Sequence, residues 1–118
     1  MSAAAILFSA LSLATAAPTY VAPWPWRQIA DCETGGDSTP GRAPYHARWR
    51  YDGRSGFDGG LQFLPSTWTA ARKPVSAAQS YRYAWQAPAW VQVAVARSWL
   101  RRTSWRQWPR CSRTVGVG

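Results

Sequence analysis

Hydrophobic side chains recur along this chain in short runs separated by Gly- and Pro-rich breaks, and the spacing within each run indicates the element it forms. Residues 2–16 are apolar or small throughout, centred on Ile6, Leu7, Phe8, Leu11 and Leu13, and end in Ala14-Thr15-Ala16. That pattern predicts a secretory signal over 1–16, followed by an irregular leader over 17–23. From Trp24 to Ala30 the chain can form a short helix, with Pro25 tolerated in its first turn and Gly35-Gly36 as a stop. At helical spacing Trp26, Ile29, Ala30 and Glu33 share one face. Residues 37–48 carry Gly, two Pro, Ser, Thr and the lone His46, and read as an exposed loop.

Residues 49–63 alternate large side chains with Asp52-Gly53 and Asp58-Gly59-Gly60, which predicts a small hairpin or an irregular glycine loop. Leu64-Pro65-Ser66-Thr67-Trp68 opens a helix that Lys73-Pro74 interrupts. Residues 75–87 are expected as loop with helical turns. Pro88 opens the longest helix, running to about Arg102, with Val91, Val95 and Trp99 at i+4 and Ala94 filling the same face. Thr103 to Cys111 then carries Trp105, Trp108 and Pro109, and residues 113–118 are expected as a frayed tail. The folded domain is therefore expected over 24–112.

A chain of 118 residues allows one domain with a modest core. Nine tryptophans in so short a chain are mostly core material, with a minority available as ligand platforms. The formal charge of +9 comes from fourteen basic residues spread along the chain, and it implies a polyanionic partner or environment. Arg interleaved with aromatic residues would suit single-stranded nucleic acid, whereas export points to an anionic cell envelope.

Given export, Cys32 and Cys111 read better as one disulfide than as reactive thiols. Such a bridge closes a loop of about 80 residues, worth on the order of 4 kcal/mol on the chain-entropy model. One His with two distant Cys makes a poor zinc site, so no metal and no cofactor are expected. Beside Cys32 stands Glu33, the sole glutamate. A carboxyl on an apolar helix face is desolvated, which raises its pKa and suits it to proton donation. Taken alone, this position is equally consistent with a structural residue reaching solvent from a helix end.

The segments W-R-Q-I-A-D-C-E-T-G-G (26–36), G-F-D-G-G-L-Q-F (56–63), S-T-W (66–68), V-Q-V-A-V-A (91–96) and W-R-Q-W-P-R-C-S (105–112) together resemble, in matching order, the catalytic domain of the resuscitation-promoting factors. The resemblance implies a small lysozyme-like fold, α+β but predominantly helical, with one disulfide. It also implies secretion by actinobacteria and peptidoglycan cleavage.

The family's catalytic glutamate falls on Glu33 and its disulfide on Cys32 and Cys111. Its groove threonine falls on Thr67, with Trp68 beside it. Gln62 matches the glutamine closing the glycine loop, Phe57 stands where a tyrosine is usual, and Trp49 keeps its spacing to Gly59-Gly60. Departures are an insertion within 38–48, Asp58 in place of an aromatic residue, and Leu64 in place of a polar one.

The expected substrate groove thus comprises Trp49, Phe57, Gln62, Thr67 and Trp68 around Glu33. The expected activity is cleavage of the MurNAc–GlcNAc strand by a single-glutamate, lytic-transglycosylase-like reaction, since no aspartate matches a second catalytic position. The expected partners are peptidoglycan and the anionic envelope, with no nucleic acid and no membrane after signal removal. The protein is expected as a secreted or wall-associated monomer that can act beside a peptidoglycan endopeptidase. Two other readings compete: a non-catalytic wall-binding or signalling module of the same fold, and a basic nucleic-acid binder, for which the apolar start and the disulfide are awkward.

Overall fold

The computed structural model describes residues 19–36 and 44–118, and among them four α-helices and three single 3₁₀ turns make up the ordered elements. The expected signal over 1–16, the first leader residues, Asp37 and the part of the insertion over 38–43 lie outside the described residues. Helix α1 spans Trp26–Thr34, α2 Pro65–Ala71, α3 Ala89–Arg102 and α4 Pro109–Val115. The 3₁₀ turns cover Ser76–Ala78 and Ala84–Gln86, in keeping with the helical turns expected before α3, and Trp105–Gln107 after it. No described helix is long and apolar enough to cross a membrane.

Each helix buries the face that its spacing marks. On α1, Ile29 and Ala30 are fully buried and Trp26 nearly so. Helix α2 begins at Pro65, whose fixed φ suits the first turn, and buries Trp68 and Ala71 against α3. Helix α3 buries a wider arc than a single stripe, with Gln92, Val93, Ala96 and Ser98 enclosed along with Val91 and Val95. Trp99 is half-buried beneath Arg102, whose guanidinium carbon lies 5.0 Å from the ring centroid.

Aromatic edges lock these faces together. Trp108 packs edge-on against Trp26 at 5.2 Å and against Phe63 at 5.9 Å, and Phe63 meets Trp68 at 5.5 Å. Both fully buried indoles keep an N–H partner, Trp108 donating to the Leu61 carbonyl and Trp68 to the Tyr81 carbonyl, each at 2.8 Å. The Cys32–Cys111 disulfide joins α1 to α4 with their Cα atoms 5.8 Å apart.

Two expectations are corrected. The β part of the α+β reading is absent among the described residues, where residues 49–63 make only an isolated antiparallel bridge between Asp58 and Phe63. Left-handed backbone at Arg54, Ser55, Gly59 and Gln62 breaks the extended geometry a hairpin needs. In addition, Asp52 and Asp58 carboxylates accept the Arg54 and Gly53 amides that a ladder would use. The C-terminal residues expected as a frayed tail instead complete α4. Gly116 closes that helix at φ 92°, and Val117 and Gly118 also donate to the Ser112 carbonyl.

The glycine loop is held from beneath by Gln92, which is fully buried. Its Oε1 accepts the Gly60 N–H at 3.0 Å, while Nε2 donates to the Trp49 carbonyl at 2.7 Å and the Ala87 carbonyl at 2.9 Å. Glycine is required on both sides of this contact: a Cβ on Gly59 would stand 2.5 Å from Gln92 Oε1, and one on Gly60 would stand 2.6 Å from the Trp49 ring. Gln92→Leu keeps the volume but strands these three buried backbone groups, so unfolding in urea should show a loss of about 3 to 6 kcal/mol.

Candidate active site

Glu33 sits in the last turn of α1, and its neighbours in the chain are each tied down. Asp31 is buried and accepts the His46 N–H at 2.7 Å, so its carboxylate serves the 44–48 segment. Cys32 is held by the disulfide. Thr34 Oγ accepts the Arg48 N–H at 2.9 Å and donates to the Ala30 carbonyl at 3.0 Å, with the Gly60 carbonyl also in reach at 3.3 Å. These contacts join α1, the 44–48 segment and the glycine loop around one point. Glu33, half-buried, lines the depression that results.

That depression, of about 210 Å³, is lined by Glu33, Thr34, Gly36, Arg48, Tyr51 and Gln62. Burial raises the Glu33 pKa above the usual carboxylate range, and the Arg110 guanidinium partly offsets the rise. Arg110 comes from α4, next to Cys111, and its Nη2 lies 3.9 Å from Cys32 Sγ. The disulfide therefore sets both the acid and the cation beside it.

Gln62 reaches the same depression from the glycine loop in a left-handed conformation, φ 55°, that a non-glycine residue adopts at a cost of about 1 kcal/mol or more. Its Nε2 donates to the Gly59 carbonyl at 3.0 Å, which orients the amide. Oε1 and the second N–H remain as polar handles of opposite sense.

The other expected groove residues are placed differently. Trp68 is a correction: it is fully buried with its ring against Phe63, so no face is open to a ligand. Trp49 is half-buried under Gly60 and lines a separate recess with Tyr20, Arg27 and Tyr45. Phe57, 51% exposed, and half-buried Thr67 lie outside the residues lining the Glu33 depression.

Arg48 and Tyr51, absent from the expected set, do line it. Their sequence signal is weak, a basic and an aromatic residue flanking Trp49-Arg50 just before the glycine loop. Only the fold shows that they face Glu33.

A second carboxylate does not accompany Glu33 among the described lining residues. Asp52 and Asp58 line another depression, of about 170 Å³, with Tyr83 and Trp85. Burial raises the Asp58 pKa, opposed by the hydrogen bond from the Gly53 N–H and reinforced by Asp52. Both aspartates are engaged in shaping the 52–58 loop. No group of three or more His, Cys, Asp or Glu able to hold a metal occurs among the described residues.

The transglycosylase-like domain profile matches residues 22–111 of the chain. Resuscitation-promoting factor Rpf1 of Corynebacterium glutamicum is 33% identical over 118 residues, which cover 99% of this chain and 53% of that protein. Resuscitation-promoting factor RpfC of Mycobacterium tuberculosis is 30% identical over 119 residues, covering 98% of this chain and 69% of that protein. Resuscitation-promoting factor Rpf2 of C. glutamicum is 28% identical over 92 residues, 78% of this chain and 21% of that protein. The chain thus spans about half the length of Rpf1 and about a fifth of Rpf2.

Two outcomes are expected from this geometry. Because the folded Glu33 pKa is raised, its contribution to stability is complete at pH below the unfolded value and is lost as pH rises through the folded one. Glu33→Gln should flatten that fall in thermal midpoint between acidic and neutral pH, while Arg110→Gln should move it to higher pH. Gln62→Gly relieves the left-handed backbone as it removes the amide, so stability should stay within about 1 kcal/mol while turnover of purified walls drops.

Proposed function

The chain belongs to the transglycosylase-like domain family, and from that premise we propose that it is an exported enzyme that cuts the MurNAc–GlcNAc strand of peptidoglycan with Glu33 as its one catalytic carboxyl. The observation that carries this reading is the isolation of Glu33. It is the sole carboxylate among the described residues lining its depression, and burial favours its protonated form. Hydrolases working with two carboxylates need both within roughly 5 to 9.5 Å of one another around the bond. Asp52 and Asp58 line a different depression and are bound into loop structure, and Asp31 is buried on its own contacts.

One carboxyl serves both halves of the reaction. Protonated Glu33 gives its proton to the glycosidic oxygen as the bond from muramoyl C1 to that oxygen breaks, freeing the 4-hydroxyl of the leaving GlcNAc. The carboxylate so formed, stabilised by Arg110, takes the proton from the muramoyl C6 hydroxyl. O6 then closes onto C1 to give a 1,6-anhydro end, and Glu33 is protonated again without consuming water. Glu33 stays acidic enough to transfer its proton because burial and Arg110 pull its pKa in opposite directions.

The remaining residues suit a glycan. The Gln62 amide can hold an N-acetyl group, and Arg48 can pair with an anionic substituent of the muramoyl residue. Tyr51 and Phe57, 41% and 51% exposed, offer ring faces to sugars where the strand extends beyond the depression, and Thr67 offers a hydroxyl. The disulfide and the apolar stretch over 1–16 support export. By analogy with the names of its relatives, the cleavage would promote growth or resuscitation of actinobacterial cells.

Purified sacculi digested in ¹⁸O-water test this directly by mass spectrometry of the released muropeptides. Anhydro ends free of ¹⁸O are expected, and Glu33→Gln should slow their release by at least about two orders of magnitude. Reducing ends carrying ¹⁸O would overturn the one-carboxyl mechanism, and no release by the unaltered protein would leave a wall-binding module.

A further inference from the structure

Charge in this chain is divided by position. All five acidic residues precede Gly59, whereas nine of the fourteen basic residues follow it. The second half of the chain therefore contains no carboxylate side chain of its own, and Arg110 is the one of its arginines set beside Glu33. Its arginines concentrate between residues 97 and 113, where α3 ends and the chain turns through residues 105–107 into α4.

Two depressions meet there at Arg106. One, of about 340 Å³, is lined by Trp99, Thr103, Ser104, Arg106 and Gln107. The other, of about 180 Å³, is lined by Trp105, Arg106, Pro109, Ser112, Arg113 and Gly118. Neither includes a carboxylate side chain. Arg102 adds its charge at the Trp99 edge, and Arg106 Nε is oriented by Ser104 Oγ at 3.3 Å, which uses one of its five donors. Favourable placement at helix carbonyl ends accounts for Arg102 and Arg113 singly. It does not account for Arg106 between them, or for the hydroxyl and amide groups of Thr103, Ser104 and Gln107 around it.

We propose that this double depression is a docking site, separate from the Glu33 depression, for a cell-wall glycan polymer whose sugars carry phosphodiester groups. The guanidinium forks of Arg106 and Arg113 match phosphate oxygens spaced along a chain, and Arg102, held by the Ala71 carbonyl at 2.8 Å, adds its charge at the edge. The hydroxyls and amide between them match sugar hydroxyls. A single-stranded nucleic acid would stack its bases on open aromatic faces. Here Trp105 is packed against Trp26 and Trp108, and Trp99 lies under Arg102, so hydrogen bonding to sugars is better served than stacking of bases. The site would hold the enzyme on the wall while Glu33 works on the neighbouring glycan. Its wall location rests on the export proposed above, and its contacts do not depend on the Glu33 chemistry.

Co-sedimentation with actinobacterial walls tests the proposal, using walls before and after cold hydrofluoric acid, which strips phosphodiester-linked polymers and leaves peptidoglycan. All proteins carry Glu33→Gln so that the walls stay intact and binding is read apart from cleavage. Binding to untreated walls should weaken with added salt, fall after acid extraction, and be roughly tenfold weaker for Arg106→Gln/Arg113→Gln, which loses charge-assisted contacts at two exposed positions. On extracted walls the two proteins should bind alike, and with Glu33 restored the double variant should cleave extracted peptidoglycan at the unaltered rate. Binding that survives extraction, or that the double substitution leaves unchanged on intact walls, overturns the assignment. Tighter, Arg106-dependent binding to an oligothymidine strand than to untreated walls would give the surface to nucleic acid instead.

Discussion

A single buried amide holds the glycine loop in place. Gln92 satisfies backbone groups from three segments that share no secondary structure, the Trp49 and Ala87 carbonyls and the Gly60 N–H. Buried amides and carbonyls without partners are costly, and a loop lacking a sheet ladder has few ways to provide them. Helix α3, the longest described element, supplies the answer from its first turn. The glycine pair then follows as a steric condition, since side chains at Gly59 or Gly60 would occupy the space of Gln92 or of the Trp49 ring. With the loop seated, Gly60 comes within reach of Thr34 on α1, and Gln62 arrives beside Glu33.

The opposite wall is set by the disulfide. Cys32 and Cys111 are each one residue from a charge that matters, Glu33 on α1 and Arg110 on α4. Joining the two helices at that point places a cation beside a carboxyl that burial would otherwise leave with a pKa raised still further. In the proposed reaction, an acid that gives up a proton and takes one back is served by both influences. The covalent link therefore tunes the proton chemistry as well as stabilising a small domain.

Helix α4 also divides the molecule's charge between two tasks. Arg110 faces the Glu33 side, while Arg113 lines the depression shared with Arg106. With no Asp or Glu beyond Asp58, that second surface carries only cationic charged side chains, which suits the anionic partner proposed for it. The proposed catalysis and wall attachment would then draw on two arginines three residues apart on one seven-residue helix.

Much of this was legible in the residues themselves. Periodicity and Pro and Gly punctuation marked α1, α2 and α3, because an amphipathic helix of one or more turns writes its burial into a local repeat. The sole glutamate beside one of two cysteines singled out Glu33 for the same local reason. Other features depended on contacts between segments far apart in sequence. Trp68 looked like a groove residue and is core, because nothing local tells a buried indole from an exposed one when both sit on a helix. The 49–63 stretch left a hairpin and an irregular loop open, and the loop won because Asp52 and Asp58 took amides of the segment and Gln92 took the Gly60 N–H. Residues 113–118 looked like a tail until α4 was seen packed on α1. Arg48, Tyr51 and Arg110 reach Glu33 from positions 15, 18 and 77 residues away, a juxtaposition that only packing and the disulfide decide. Sequence by itself determined which residues could do chemistry and which helices would carry them; tertiary structure decided which side chains share a surface, because burial and charge proximity are properties of the whole packed chain.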